Sequence, residues 1–324
     1  MFPTFYLWRF IVSVTLLGRS LLTLLDYSPE EIRFLLDLSK KVKAQSKSGA
    51  PLRRFEGKTI ALIFEKRSTR TRCAFETAFA EEGGHPVFLS PQDIHLGEKE
   101  SVEDTARVLG RMFNAIQFRG FKQETVETLA KYSGVPVYNG LTDLFHPTQA
   151  LADIFTLEEA AGASKGKLLC FVGDGRNNVA RSLMVICAKL GVCFKIITPA
   201  ALNPDEGLRL KCAGIAAESG AEITVTADVN AVAGADALYA DVWASMGEED
   251  KKEERRRLLS PYQVNQTLMN KTGKPGAIFL HCLPAIKGEE VTAEVIDGPQ
   301  SRAWDEAENR KHTIKAVMLA TLAG

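Results

Sequence analysis

The sequence has no excess of either charge: 40 Lys and Arg stand against 40 Asp and Glu, for a formal net charge of zero. That balance excludes the broad basic field by which nucleic-acid binders usually attract phosphate. The chain also lacks any C-x-x-C pair. Its six cysteines, Cys73, Cys170, Cys187, Cys193, Cys212 and Cys282, stand apart and mostly in apolar runs. A disulfide framework and a zinc site are therefore not expected, and reduced thiols in a cytoplasmic compartment are. No run reaches the roughly 20 apolar residues of a membrane-spanning helix. The nearest, MFPTFYLWRFIVSVTLL at residues 1–17, carries Arg9 in its middle. It has neither the basic start nor the small-residue cleavage site of a secretory signal. A loosely attached apolar extension is expected there.

One further absence removes a cofactor class. GDGRNN at 173–178 imitates a dinucleotide fingerprint, but its third glycine is replaced by Asn178, and the next strand, FKIITP, ends without an acidic residue for a ribose. A nicotinamide cofactor is excluded on that pattern. Short repeats and low-complexity tracts are absent as well.

What the 324 residues do contain is an alternation of strands and helices. Ser28, Pro29 and Glu31 form a helix-start signature before IRFLLDLSKKVKAQ. Strand-like runs KTIALIF, PVFLS, NAIQFRG and VPVYNG are interleaved with helical TRCAFETAFAEEGG, SVEDTARVLGRMF and QETVETLAKYSG. After PTQALADIFTLEEAAG the alternation resumes with KLLCFVGD, CFKIITP, EITVT, ALYADVW and AIFLHCLPA. The pattern predicts an α/β protein of two doubly wound domains, each with a central parallel sheet flanked by helices, divided near residue 150. Binding sites in such sheets lie at the carboxyl ends of strands.

Those strand ends carry the chemistry-bearing residues. FEKRSTRTR, residues 64–72, places Ser68, Thr69, Arg70 and Thr71 where a strand gives way to a helix. Unpaired backbone N–H groups, the positive end of the helix dipole, hydroxyl donors and a planar guanidinium together suit an oxyanion such as phosphate. The alternative is a basic helix start facing solvent. The dipole disfavours cations there unless an anion is present. Arg119 in QFRG is either an ion-pair partner or a second anion clamp. His146 and Gln149 in HPTQ open a helix after a strand; each is a packed residue or one that faces a cleft. Asp241 in DVWASMG ends a strand and suits an amine, followed by Ser245 and Met246. Asn177 and Asn178 open a helix at a strand end and either bond a polar ligand or cap the helix. Cys282 in HCLPA is a buried structural thiol or a group near an amine, and Arg310 in AENR is a third candidate clamp.

In this order STRTR, FRG, HPTQ, DVWASMG, HCLP and AENR resemble the aspartate/ornithine carbamoyltransferase superfamily, ornithine branch, with the SMG loop of its anabolic type. The resemblance runs from about Gly18 to the C-terminus. It implies that Ser68, Thr69, Arg70 and Thr71 bind the phosphate of carbamoyl phosphate. Arg119, His146, Gln149, Cys282, Leu283 and Arg310 would hold its carbamoyl end. Asn178, Asp241, Ser245 and Met246 would hold L-ornithine, with Arg119, His146, Asp241 and Cys282 as the catalytic set. It implies no metal and no organic cofactor, a carbamoyl phosphate-binding domain at 18–150, an ornithine-binding domain at 151–309, and a closing helix at 310–324 returning to the first. A homotrimer or a multiple of trimers follows, with His95 of a neighbouring subunit reaching the phosphate. Leu144 stands where that family usually has an acidic or polar residue, outside the HPTQ contact set. Lys66, Arg67 and Arg72 are expected to be ion-pair or field contributors rather than ligands.

Overall fold

The structure, a computed structural model, describes residues 14–49, 52–94, 96–97, 99–244 and 251–323. The expectations for residues 1–13, His95, Ser245 and Met246 lie outside the described residues. Residues 14–17 depart from the expected loose attachment: Leu16 is buried in the core, and the Gly18 N–H donates to the Thr321 carbonyl at 2.9 Å.

The chain opens with helix α1 (Pro29–Lys47). Ser28 caps it as its sequence predicts, accepting from the Glu31 N–H while the Glu31 carboxylate takes the Ser28 N–H. The first parallel sheet follows, from β1 (Thr59–Phe64), β2 (His85–Leu89), β3 (Ala115–Arg119) and β4 (Val137–Leu141). Helices α2 (Thr69–Ala80), α3 (Val102–Met112) and α4 (Gln123–Ser133) make the crossovers between them. Strand order is β2-β1-β3-β4. The chain winds outward from β1 to β2, then returns across β1 to β3, so a crevice opens at the carboxyl ends of β1 and β3. The buried run TIALIF is almost wholly apolar because helices cover both faces.

Helix α5 (Pro147–Ala161) runs through residue 150 without a break and leads to the second sheet. That sheet comprises β5 (Leu168–Val172), β6 (Cys193–Ile197), β7 (Ile223–Thr226), β8 (Ala237–Tyr239) and β9 (Ile278–Leu280), all parallel, in the order β7-β6-β5-β8-β9. Its switch point lies between β5 and β8. Helices α6 (Asn178–Leu190), α7 (Glu206–Ser219), α8 (Lys252–Leu259), α9 (Gln266–Lys271) and α10 (Ala293–Ile296) complete this half. The final helix, α11 (Ala303–Leu322), begins before the expected residue 310 and packs against α1, α2 and α5. Among the described residues no helix is long and apolar enough to cross a membrane.

One irregularity shapes the site. The pairing of β3 with β4 slips by a residue between Phe118 and Arg119, so Arg119 faces Leu141 and Gly140 is left as the extra residue. Bulges of this kind re-aim a neighbouring side chain. A Cβ at Gly140 would lie 2.4 Å from Gln117 Nε2 and 3.1 Å from Thr71 Cγ2, so the close approach requires glycine.

Candidate active site

Both switch points open toward one another across α5. Helix α2 starts directly after β1. Ser68 caps it, its Oγ accepting from the Thr71 N–H at 3.2 Å. This cap brings Thr71 to the centre of the crevice, 1% exposed. Thr71 Oγ1 accepts from Arg119 Nη1 at 3.1 Å and from Arg310 Nη2 at 3.3 Å. Both lone pairs of the hydroxyl are thereby used, and its proton remains available to a ligand. Arg310, from α11, also donates to Gln149 Oε1 at 2.5 Å and to Thr148 Oγ1 at 3.4 Å.

Electrostatically the site is an anion hole. Burial first, then Arg310 and Arg70, lower the guanidinium of Arg119 to about 10. Burial lowers Arg310 to about 10 as well. Arg70, less buried, is shifted down mainly by desolvation. Among the described residues no carboxylate pairs with any of the three. The Nε–H groups of Arg119 and Arg310 are buried without an acceptor. Clustered, unpaired guanidiniums are costly to bury. The arrangement is complementary to an oxyanion of more than one negative charge.

His146 is 3% exposed, its N–H donating to Ser182 Oγ at 2.8 Å. Burial first, then Arg310, Arg119 and Arg70, push its imidazole well below the usual histidine range. It is therefore neutral at pH 7 and acts as a dipole, not as a cation. Gln149 stands on the next turn of the same helix, with its nitrogen turned away from Arg310.

Across the cleft, Asp241 follows β8. Its Oδ1 accepts from Cys282 Sγ at 3.1 Å and from the Val242 N–H at 2.8 Å, and its Oδ2 from Asn177 Nδ2 at 2.8 Å. Burial first, then Asp241 and Glu306, push the Cys282 thiol well above its ordinary value. Cys282 is thus a protonated donor to Asp241, not a thiolate nucleophile. Of the adjacent pair Asn177 and Asn178, it is Asn177 that touches Asp241. It also caps α6 through Oδ1. Asn178 Nδ2 instead donates to the Thr142 carbonyl at 2.6 Å, tying the end of the first sheet to α6.

Leu283 occupies a left-handed conformation, φ 60°, unusual for a branched side chain. Its N–H donates to His281 Nδ1 at 2.8 Å, so the ring proton sits on Nε2, 3.1 Å from Glu290 Oε1. That buried pair holds the turn bearing Cys282 and Leu283.

The other cations of the opening motif make contacts of their own. Lys66 Nζ lies 4.2 Å from the Phe121 ring centroid, Arg72 pairs with Glu76 at 2.8 Å and stacks on Phe88, and Arg67 is exposed. Leu144 packs against the apolar core. Asp153, Tyr239 and Glu306, invisible as site residues in the sequence, lie directly behind Gln149. Asp153 and Tyr239 show in the sequence only as polar groups inside largely apolar runs, and Glu306, among other polar residues of α11, gives no signal. Ser68, Thr69 and Arg67 also line an adjoining cleft of about 530 Å³, together with Phe88 and Ser90.

The family signature "Aspartate/ornithine carbamoyltransferase, carbamoyl-P binding domain" matches residues 19–159, and "Aspartate/ornithine carbamoyltransferase, Asp/Orn binding domain" matches residues 165–321. The chain is 67% identical to the ornithine carbamoyltransferase of Pseudothermotoga lettingae, over 96% of this chain and 100% of that one. It is 55% identical to a Bacillus licheniformis relative named as catabolic, over 96% of this chain and 98% of that one. The solved ornithine carbamoyltransferase of Pyrococcus furiosus superposes with a TM-score of 0.93 at 50% identity, covering 96% and 99% of the two chains.

The protonated state of Cys282 predicts slow alkylation. In the ligand-free protein at neutral pH, iodoacetamide should label exposed Cys73 well before Cys282, as read by peptide mass spectrometry. Preferential labelling of Cys282 would contradict the raised thiol.

Proposed function

This chain belongs to the aspartate/ornithine carbamoyltransferase family and transfers the carbamoyl group of carbamoyl phosphate to the δ-amine of L-ornithine, giving L-citrulline and phosphate; we propose the following division of that work among its residues. The observation that carries it is the convergence of Arg70, Arg119 and Arg310 on the start of α2 with no paired carboxylate among the described residues. The phosphate sits on the helix start, held by Ser68, Thr69, Arg70 and Thr71. The carbamoyl oxygen lies against Arg119, His146 and the Thr71 proton, with Gln149, Cys282, Leu283 and Arg310 completing that pocket. Gln149 Oε1 accepts from the carbamoyl N–H.

The neutral amine attacks the carbamoyl carbon, charge collects on the carbonyl oxygen, and phosphate leaves as the tetrahedral species collapses. Donors aimed at that oxygen lower the barrier, each contributing about 10²–10³ in rate. Holding both substrates in line supplies much of the remainder. A neutral His146 suits this role because it polarises the oxygen without donating a full proton. Ornithine lies on the opposite wall. Asp241, held by Asn177 and Cys282, attracts its amino groups, Asn178 contributes its amide oxygen, and Ser245 and Met246 close over the substrate. No metal or organic cofactor takes part.

The residue divisions at 18–150 and 151–309 then correspond to the carbamoyl phosphate half and the ornithine half, with the returning helix taken from its observed start at Ala303. The working particle is a homotrimer or a multiple of one, in which His95 of the partner subunit reaches the phosphate. Its compartment is the cytoplasm, a reading supported by free cysteines throughout the described residues.

Carbamoyl transfer from carbamoyl phosphate, with ornithine, putrescine, N-acetylornithine and aspartate supplied in parallel and the carbamoylated product of each amine read by mass spectrometry, should proceed with ornithine alone. The rate should climb toward alkaline pH, because an amine of pKa about 10.4 is mostly protonated near neutrality. A profile flat from neutral to alkaline pH, with chemistry rate-limiting, would count against attack by the neutral amine.

Arg70→Gly should abolish the calorimetric signal for carbamoyl phosphate while the circular dichroism spectrum is retained. Undiminished affinity in that variant would sink the phosphate cradle.

Light scattering should return a mass that is a multiple of three chains; a monomer active at assay concentration would rule out the shared site.

A further inference from the structure

Behind Gln149 two carboxyl groups meet without solvent. Asp153 on α5 and Glu306 on α11 are both 0% exposed. They share their donors. Gln149 Nε2 gives one hydrogen to Asp153 Oδ1 at 2.8 Å and the other to Glu306 Oε1 at 2.7 Å. The Tyr239 hydroxyl lies 3.4 Å and 3.2 Å from the same two oxygens and has a single proton to give. The His281 N–H donates to Glu306 Oε2 at 2.9 Å. Asp153 Oδ2 meets no donor.

The charged and titratable groups around the pair come from every neighbouring element. Arg310 lies on α11, Arg70 on α2, Cys187 on α6, Tyr239 on β8 and Asp241 after it, and His281 and Cys282 after β9. Arg310, the cation acting on Asp153, is bonded to Gln149 rather than to either carboxylate. Two negative charges that share donors, with neither bonded to a cation, do not both persist away from water. Burial raises both acids, and the charge of Asp153 raises Glu306 further.

We propose that Asp153 and Glu306 hold one proton between them and act as positioning residues for Gln149. The paired acceptors fix the amide so that its nitrogen faces the acids and its oxygen faces the cleft. A reversed amide would turn its nitrogen on Arg310 and its oxygen on two acceptors. Gln149 Oε1 takes one hydrogen bond from Arg310 and keeps a second lone pair for the carbamoyl N–H. This part rests on the carbamoyl assignment made above. The shared proton also limits the acids to one negative charge, which preserves the positive potential of the three arginines toward a dianion. That proton is held below the raised titration of the pair and is lost above it. Carbamoyl phosphate binding therefore weakens on the alkaline side.

Two isosteric variants separate this from a structural role. In Asp153→Asn the Oδ1 contacts are retained, nitrogen replaces the oxygen that meets no donor, and the charge equals that of the singly protonated pair. The KM for carbamoyl phosphate should rise by less than about threefold, and its alkaline increase should disappear. Glu306→Gln removes an acceptor from either Gln149 or His281, so KM should rise about tenfold or more. Infrared difference spectra of ligand-free wild type minus Asp153→Asn in heavy water at neutral pH should show one buried carboxylic-acid C=O band. The proposal is overturned if that band is missing, or if both variants raise KM equally and keep the wild-type pH dependence. The spectrum needs no substrate, so a missing band with citrulline formation intact defeats proton sharing alone. A band present without citrulline formation defeats the reading of the site instead.

Discussion

The site depends on three guanidiniums being held together against their own repulsion. Arg119 and Arg310 are fixed through a single hydroxyl, Thr71 Oγ1, and Arg70 approaches from the start of the same helix. Nothing in the described surroundings neutralises them by direct pairing. The neighbouring groups are instead kept uncharged. His146 is neutral because burial and the three cations oppose its protonation, and Cys282 is a thiol because burial and Asp241 oppose its ionisation. In water such a cluster would attract counterions at little cost. In a buried crevice the same repulsion becomes potential for binding an anion.

Holding that cluster requires parts of the chain far apart in sequence. Thr71 follows β1, Arg119 ends β3 at a bulge, and Arg310 arrives on the last helix. Gln149 joins them to the second sheet, since its nitrogen reaches Asp153 and Glu306, which Tyr239 and His281 also contact. Asn178 on Thr142 and His146 on Ser182 add two further ties between the sheets. The cleft between sheets is therefore spanned by short polar contacts.

The active site was legible at strand ends. STRTR, QFRG, HPTQ and DVW each follow a strand-like run, and an α/β sheet presents such residues to one edge whatever its other details. The charges in FEKRSTRTR were separable only in part. Arg70 faces the cleft, whereas Arg72 is taken up by Glu76 and Phe88 and Lys66 by the Phe121 ring. Asn177 and Asn178 are adjacent at a helix start, and periodicity does not say which turns toward Asp241. Asp153 and Glu306 sit in amphipathic-looking helices where acids ordinarily face solvent, and only the packing of α5 against α11 buries them.

The sequence by itself determined the alternation of strands and helices, the helix start that can receive an oxyanion, and the identity of the polar residues at the strand ends. These follow from local periodicity, capping and the chemistry of side chains, which act over a few residues. The tertiary structure alone decided the sheet orders, the meeting of Thr71 with Arg310, the neutrality of His146 and Cys282, and the burial of two acids behind Gln149. Protonation and hydrogen-bond pairing depend on desolvation and on neighbours hundreds of residues away, such as the 239 that separate Thr71 from Arg310. A linear pattern holds no measure of either.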